Sequence, residues 1–122
     1  MTKKVVTFGE LLMRLTSPGF ERFLQSAQFN AFFGGAEANV AVALSSFGMD
    51  AVYATVLPEN NPIADAAVAE LRRFGVDTSR IVRAKGRLGT YYLESAANHR
   101  AGRVVYDREH SAMALAKPGD IS

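Results

Sequence analysis

Phe33-Gly34-Gly35-Ala36 runs straight into Glu37-Ala38-Asn39-Val40-Ala41-Val42-Ala43-Leu44-Ser45-Ser46-Phe47-Gly48, and Ala51-Val52-Tyr53-Ala54-Thr55-Val56 follows. The glycine pair leaves the backbone bare, open to close approach by another group. The middle portion predicts a helix from about residue 37 to residue 47. Val40, Leu44 and Phe47 recur at i, i+4 and i+7, and most other positions are Ala or Val. A helix that is apolar nearly all round is expected to be buried, and Gly48 is a natural stop. The last portion is an apolar, β-branched run expected to form a buried strand.

The same grammar extends in both directions. Upstream, Lys4-Val5-Val6-Thr7-Phe8 reads as a buried strand that stops at Gly9. Downstream, Asn61-Pro62 opens a second helix, with Asn as the cap and Pro at the first helical position. Ile63, Ala67, Leu71 and Phe74 fall on one face of it, and Gly75 closes it. Ser79 to Arg83 reads as a third strand. Strand, helix, strand, helix, strand predicts right-handed crossovers and a parallel sheet, an α/β fold.

Two stretches interrupt this sheet. Leu11–Leu15 and Gln28–Phe33 read as short strands, separated by the turn signal Ser17-Pro18-Gly19. Phe20, Phe23, Phe29, Phe32 and Phe33 supply five of the chain's eight Phe here. Thr90–Leu93 and Arg103–Tyr106 read as an antiparallel hairpin around a turn-rich loop, Ala96–Gly102. Such interruptions of a wound sheet commonly form lids over ligands. The tail, Lys117 to Ser122, reads as a connector.

Composition bounds the rest. The 122 residues are 48% apolar and 21% charged, which fits one globular domain. No apolar run approaches the roughly 18–20 residues of a membrane span. The start of the chain is too polar, and its apolar run too short, for a secretory leader. There is no Cys, which excludes disulfides and Cys-based zinc sites. A cytoplasmic domain is the expectation. The net charge is only +2, but it is uneven: residues 35–71 hold five acids and no Lys or Arg, and basic residues gather in 72–108. Nucleic-acid binding would need a basic stripe with a reading helix or stacking aromatics. These basic residues are scattered through a turn-rich, strand-like region, so a small anion or a solvated face is favoured.

Several residues stand out as chemistry-bearing. Gly34 and Gly35 precede a helix N-terminus with free N–H groups, which would suit a ligand; a turn needing positive φ is the other reading. The segment is neither a Walker A loop nor G-x-G-x-x-G. Asn39 is out of place on helix propensity. A buried Asn there would bond ligand hydroxyls or a nearby carbonyl. Glu10 follows the first strand, where the ligand crevice of a wound sheet lies, or it is a surface carboxylate. Tyr91 and Tyr106 either present hydroxyls from facing strands or simply pack across them. Arg108 carries a planar donor fork suited to a carboxylate or phosphate. His99 and His110 read as surface residues, and no nucleophile–base pair can be assembled.

Val6-Thr7-Phe8-Gly9-Glu10, Phe33-Gly34-Gly35-Ala36-Glu37-Ala38-Asn39-Val40-Ala41, Leu57-Pro58-Glu59-Asn60-Asn61-Pro62 and Phe74-Gly75-Val76-Asp77-Thr78 together resemble the N-terminal part of the ribokinase-like (PfkB) carbohydrate kinases. Within them the 2-keto-3-deoxygluconate kinases are most similar, on the Gly-Gly-Ala-Glu-x-Asn-Val-Ala form and on Arg108 followed by Ser111-Ala112. The resemblance implies a ribokinase-like fold: a partial parallel βαβ sheet, with a small β-strand lid made by segments of about 11–33 and 88–108. It implies sugar contacts at Gly34, Gly35, Asn39 and Glu10, and a substrate carboxylate held by Arg108 beside Tyr91 and Tyr106. It also implies ATP and Mg2+ for the complete enzyme, and a homo-oligomer through the lid strands, which would explain the Phe-rich stretch.

There are departures from the family pattern. Many members have glycine where this chain has Ala64. The family's Gly-Ala-Gly-Asp segment, with the catalytic base and the nucleotide site, is not present. Residues 1–122 are therefore expected to be the N-terminal, substrate-binding portion of a longer kinase, with no catalytic, cofactor-binding or metal-binding residue of its own and inactive alone. The alternatives are a non-catalytic sugar-binding or dimerising module, and a PfkB kinase for another sugar such as fructose.

Overall fold

The computed structural model describes residues 4–97 and 100–117. His99 and the residues of the tail beyond Lys117 lie outside that range. Two sheets organise the chain. The first has three strands in the order β1 (Lys4–Phe8), β4 (Asp50–Pro58), β5 (Ile81–Ala84), and both pairings are parallel. The helices α1 (Ala36–Ser46) and α2 (Pro62–Arg73) make the crossovers. The alternating order read from the sequence is thus the observed one.

Burial departs from the sequence reading in three places. β4 is central, and every residue from Ala51 to Pro58 is buried. β1 has the same β-branched texture but lies at the sheet edge, and Val6 and Phe8 are exposed. Position in the sheet, not composition, makes the difference. α1 buries only Ala38 and Ala41 fully, and Phe47 is 82% exposed. Small side chains at the contact let the helix lie close to the sheet, and Val40 and Phe47 point away. In α2 the inward face is Ala64, Ala67, Val68 and Leu71, while Ile63 and Phe74 are exposed. Ala64 is a fully buried helical residue, which suits its small side chain.

Local chemistry sets the helix ends as expected. The Asn61 side chain accepts hydrogen bonds from the Ile63 and Ala64 N–H groups at 2.9 and 3.1 Å. Such a cap contributes about 1 kcal/mol. Gly48 and Gly75 adopt φ of +82° and +83° just past α1 and α2, conformations that cost glycine little. The core gathers Leu11, Tyr53, Leu57, Leu71, Val76 and Leu88 with the small residues of both helices.

The second sheet has four strands in the order β3 (Asn30–Gly34), β2 (Leu12–Thr16), β6 (Thr90–Glu94), β7 (Arg103–Asp107). Its two hairpins, β2–β3 and β6–β7, are antiparallel, and they join through a parallel β2–β6 ladder. The hairpins are the short strands read from the sequence, and the parallel ladder is what joins the two segments, a pairing that the sequence reading does not specify. Residues 17–29 cross over this sheet. Phe23 and Phe29 pack on Tyr92, with centroids 6.5 and 5.5 Å from its ring. The Phe23 N–H donates to the buried Glu94 carboxylate at 2.7 Å, and the Arg100 guanidinium donates to the Phe20 carbonyl. Part of the Phe-rich stretch is therefore consumed within the chain, while Phe20 and Phe32 remain exposed. Among the described residues no helix is long and apolar enough to cross a membrane.

Candidate functional site

The chain passes between the two sheets three times, after β1, after β3 and before β6, and the segment after β7 runs back beside the third passage, where the Ala112 N–H donates to the Arg87 carbonyl. Residues that follow β1, β3 and β7, with others from the second sheet, line a cavity of about 570 Å³ at the C-terminal end of β1, where ligands of wound sheets bind. It brings together Glu10, Gly35, Asn39, Tyr91, Tyr106 and Arg108. Gly34 lies directly behind the wall; a Cβ there would stand 3.1 Å from the Tyr91 hydroxyl.

The glycine pair has a definite physical reason. Gly35 caps α1 with φ 165° and ψ 141°, an extended backbone that any residue adopts. Of the two readings of the pair, the turn needing positive φ does not hold at Gly35. Close approach is the reason instead: a Cβ on Gly35 would lie 2.5 Å from the Glu10 carbonyl oxygen. The first turn of α1 therefore abuts the chain leaving β1, and Ala36 and Glu37 of that turn line the cavity. Asn39 lies one turn further along α1. It is exposed rather than buried, and it lines the cavity wall.

Glu10 is held at two levels. The Tyr53 hydroxyl donates to the Gly9 carbonyl at 2.7 Å and fixes the chain just before it. Burial pushes the Tyr53 phenol well above its ordinary pKa, with small additions from the Glu37 and Glu10 charges. It stays a neutral donor at any working pH. The Glu10 carboxylate itself accepts a hydrogen bond from the Ser111 hydroxyl at 2.6 Å.

Tyr91 and Tyr106 are register partners on β6 and β7, with ring centroids 5.7 Å apart. They pack across the strands, and both line the cavity. The two readings of this pair are compatible. The Arg108 guanidinium lies 4.6 Å from the Tyr106 ring centroid, a cation–π stacking that limits where the fork points. Next to it, Arg87 donates to the Asp107 carboxylate at 2.7 Å and to the Asp107 carbonyl at 3.2 Å. That hydrogen bond lowers the Asp107 pKa and raises that of Arg87. The exposed pair is worth little as stability, but it fixes the chain just before Arg108. His110 is exposed, as expected.

Gly9, Leu12, Ala36 and Glu37 complete the wall, and none was singled out from the sequence. Ser111 belonged to a noted stretch but carried no role. Tyr53 was concealed inside an apolar strand. The result is a cleft lined by a carboxylate, a helix N-terminus, a guanidinium and two phenols. Such a set can hold a small molecule with several hydroxyls and one anionic group.

The chain is 36% identical to the 2-dehydro-3-deoxygalactonokinase of Haloferax volcanii over all 122 residues, which cover 38% of that protein. The crystal structure of 2-dehydro-3-deoxygluconokinase from Thermotoga maritima superposes with a TM-score of 0.93 at 50% identity, over 98% of this chain and 36% of that one. An uncharacterized sugar kinase from Pyrococcus horikoshii, solved in complex with ATP, gives a TM-score of 0.78 at 26% identity, over 88% of this chain and 35% of that one. The chain thus spans less than two fifths of the length of these relatives. The sequence pattern described as pfkB family carbohydrate kinase matches residues 2–120, and on that match, with the ribokinase-like fold behind it, the chain belongs to the pfkB family of carbohydrate kinases.

Proposed function

We propose that residues 1–122 are the N-terminal, substrate-binding portion of an ATP-dependent kinase whose substrate is a 2-keto-3-deoxy sugar acid, 2-keto-3-deoxygluconate foremost. The observation that carries this reading is the placing of Arg108 and Glu10 in one cavity, with Tyr91 and Tyr106 beside them. Arg108 takes the substrate carboxylate. Glu10 and Asn39 take hydroxyls, and the bare backbone of Gly34 and Gly35 lets the sugar lie against the start of α1. The second sheet, within segments of about 11–33 and 88–108, acts as the lid. The names of the Haloferax and Thermotoga relatives support the substrate class.

ATP supplies the phosphoryl group in this reading. No group of three or more His, Cys, Asp or Glu able to hold a metal lies among the described residues. In this reading the part of these residues is to bind and orient the sugar acid. A cytoplasmic location and a homo-oligomer formed through the lid strands belong to the same reading.

Calorimetric titration of the chain with 2-keto-3-deoxygluconate, fructose and ATP tests it. Heat of binding is expected with the sugar acid and not with the other two. Fructose binding as tightly as the sugar acid would favour a kinase for a neutral sugar. Binding of ATP alone would overturn the division of labour. Silence with all three would show that the site is not formed by these residues by themselves.

A further inference from the structure

We infer that Ser111 is the positioning residue of the substrate-binding carboxylate, holding one oxygen of Glu10 so that the other addresses the ligand. The inference rests on the proposed role of Glu10 and extends it to a residue outside the set of presumed sugar contacts. Ser111 is 1% exposed. Its hydroxyl donates to Glu10 Oε2 at 2.6 Å and accepts from the Ala114 N–H at 3.1 Å. The hydroxyl is thus fixed from both sides, because the accepted bond leaves its proton free to point only at the carboxylate. A carboxylate on a flexible side chain has several rotamers, and ordering it on binding costs affinity. A buried donor that orders it beforehand removes that cost. The same bond occupies Oε2, so Oε1 is the oxygen left for substrate.

The backbone around Ser111 makes this more than a local contact. Ser111 bridges Arg87 in parallel fashion, and the Ala112 N–H donates to the Arg87 carbonyl at 2.9 Å. The Ser111 N–H in turn donates to the Arg108 carbonyl at 3.3 Å. The segment after β7 is therefore tied to the passage before β6 by backbone and to the passage after β1 by the Ser111 hydroxyl. Glu10, which takes substrate hydroxyls, and Arg108, which takes the substrate carboxylate, are joined through three intervening residues and one hydrogen bond. Ser111 sets their separation.

The experiment is a double-mutant cycle read in two ways. Wild type, Ser111→Ala, Glu10→Ala and the double variant are titrated with 2-keto-3-deoxygluconate, and all four are unfolded in urea without ligand. Ser111→Thr, which keeps the hydroxyl, is the rescue variant. Ser111→Ala is expected to weaken sugar-acid binding about tenfold, the loss of one hydrogen bond to a charged group. Ser111→Thr is expected to recover most of it. In the Glu10→Ala background, removing the hydroxyl is expected to change the affinity by less than about twofold, because its partner is gone. Losses that multiply in the double variant would overturn the inference. So would a Ser111→Ala protein that is destabilised in urea yet binds as well as wild type, since the hydroxyl would then be structural only. Failure of wild type to bind the sugar acid would remove the ligand role of Glu10, and with it this inference. Urea coupling between the two positions in that case would show that the bond exists without serving a ligand. If Ser111→Ala does not fold, the Thr variant and the Glu10→Ala protein still decide: a folded Thr variant must bind like wild type, and one that binds like Glu10→Ala overturns the role.

Discussion

Arg108→Ala is expected to weaken binding of 2-keto-3-deoxygluconate by about ten- to a hundredfold while fructose stays without measurable heat, as with wild type. The magnitude is that of a hydrogen bond to a charged group, about 1.5–3 kcal/mol. The asymmetry follows from chemistry. A carboxylate can accept two parallel bonds from the planar guanidinium fork, and a neutral ketose offers no group that matches it. Stacking over Tyr106 at 4.6 Å pre-orders the side chain, so less rotamer entropy is lost when the ligand arrives. Arg108→Lys should recover the charge but not the fork, and is expected to fall between the two. Calorimetric titration with both sugars checks this. Equal affinities of Arg108→Ala and wild type for the sugar acid would remove Arg108 from the site.

Gly35→Ala is expected to produce the largest loss of stability of any single methyl added in this chain's cavity wall. The added Cβ would meet the Glu10 carbonyl oxygen at 2.5 Å, with the Glu10 carbonyl carbon at 3.6 Å and the Leu11 Cα at 3.7 Å. All three are backbone atoms, so no rotamer change relieves the contact. The passage after β1 must move away from α1, against the hydrogen bond that Tyr53 makes to Gly9. Overpacking of this kind costs about 1–3 kcal/mol. Gly34→Ala is the internal control. Its Cβ would meet only the end of the Tyr91 side chain, at 3.1 Å, and a small tilt of that ring makes room. Urea unfolding midpoints should rank wild type, Gly34→Ala, Gly35→Ala in falling order. A Gly35→Ala protein as stable as wild type would mean that the two passages are not as close as described. Sugar-acid affinity should fall with the same variant, because Glu10 and the start of α1 both shift.

How much of this was legible in the sequence depends on the range over which each feature is decided. The caps at Asn61, Gly48 and Gly75 are decided within a few residues, and they were read correctly. The parallel order of β1, β4 and β5 follows from alternation along the chain, which is also visible. Exposure of Val6 and Phe8 is not, because it depends on which strands flank β1. The Ala-rich α1 was misread for a related reason: small residues make its contact with the sheet, and the larger Val40 and Phe47 face outward. At the site, Glu10, Gly34, Gly35, Asn39, Tyr91, Tyr106 and Arg108 were visible through motif and position. Six of them line one cavity. Ser111 meets Glu10 across 101 residues, and no local pattern announces a hydroxyl that far away. The glycine pair stood out for close approach to its backbone, and the group that comes close to Gly35 in this chain is the Glu10 carbonyl, which only the fold brings there.

The parallel ladder between β2 and β6 has a consequence for the order of assembly. Everything from β3 to β5 lies in the chain between its two strands. Closing so long a loop loses chain entropy before any pairing compensates for it, and ladders of this kind make slow folders. The β2–β3 and β6–β7 hairpins need no such closure and can zip early. The three-stranded sheet, once formed, brings the ends of the long loop together and shortens the effective search. The ligand cavity lies on the far side of that last step, so the capacity to bind substrate is acquired at the end of folding rather than along the way. Pulse-labelled hydrogen exchange would register this as protection of the Tyr53–Leu57 amides ahead of those of Met13 and Ser17, which donate across to the Gly89 and Leu93 carbonyls.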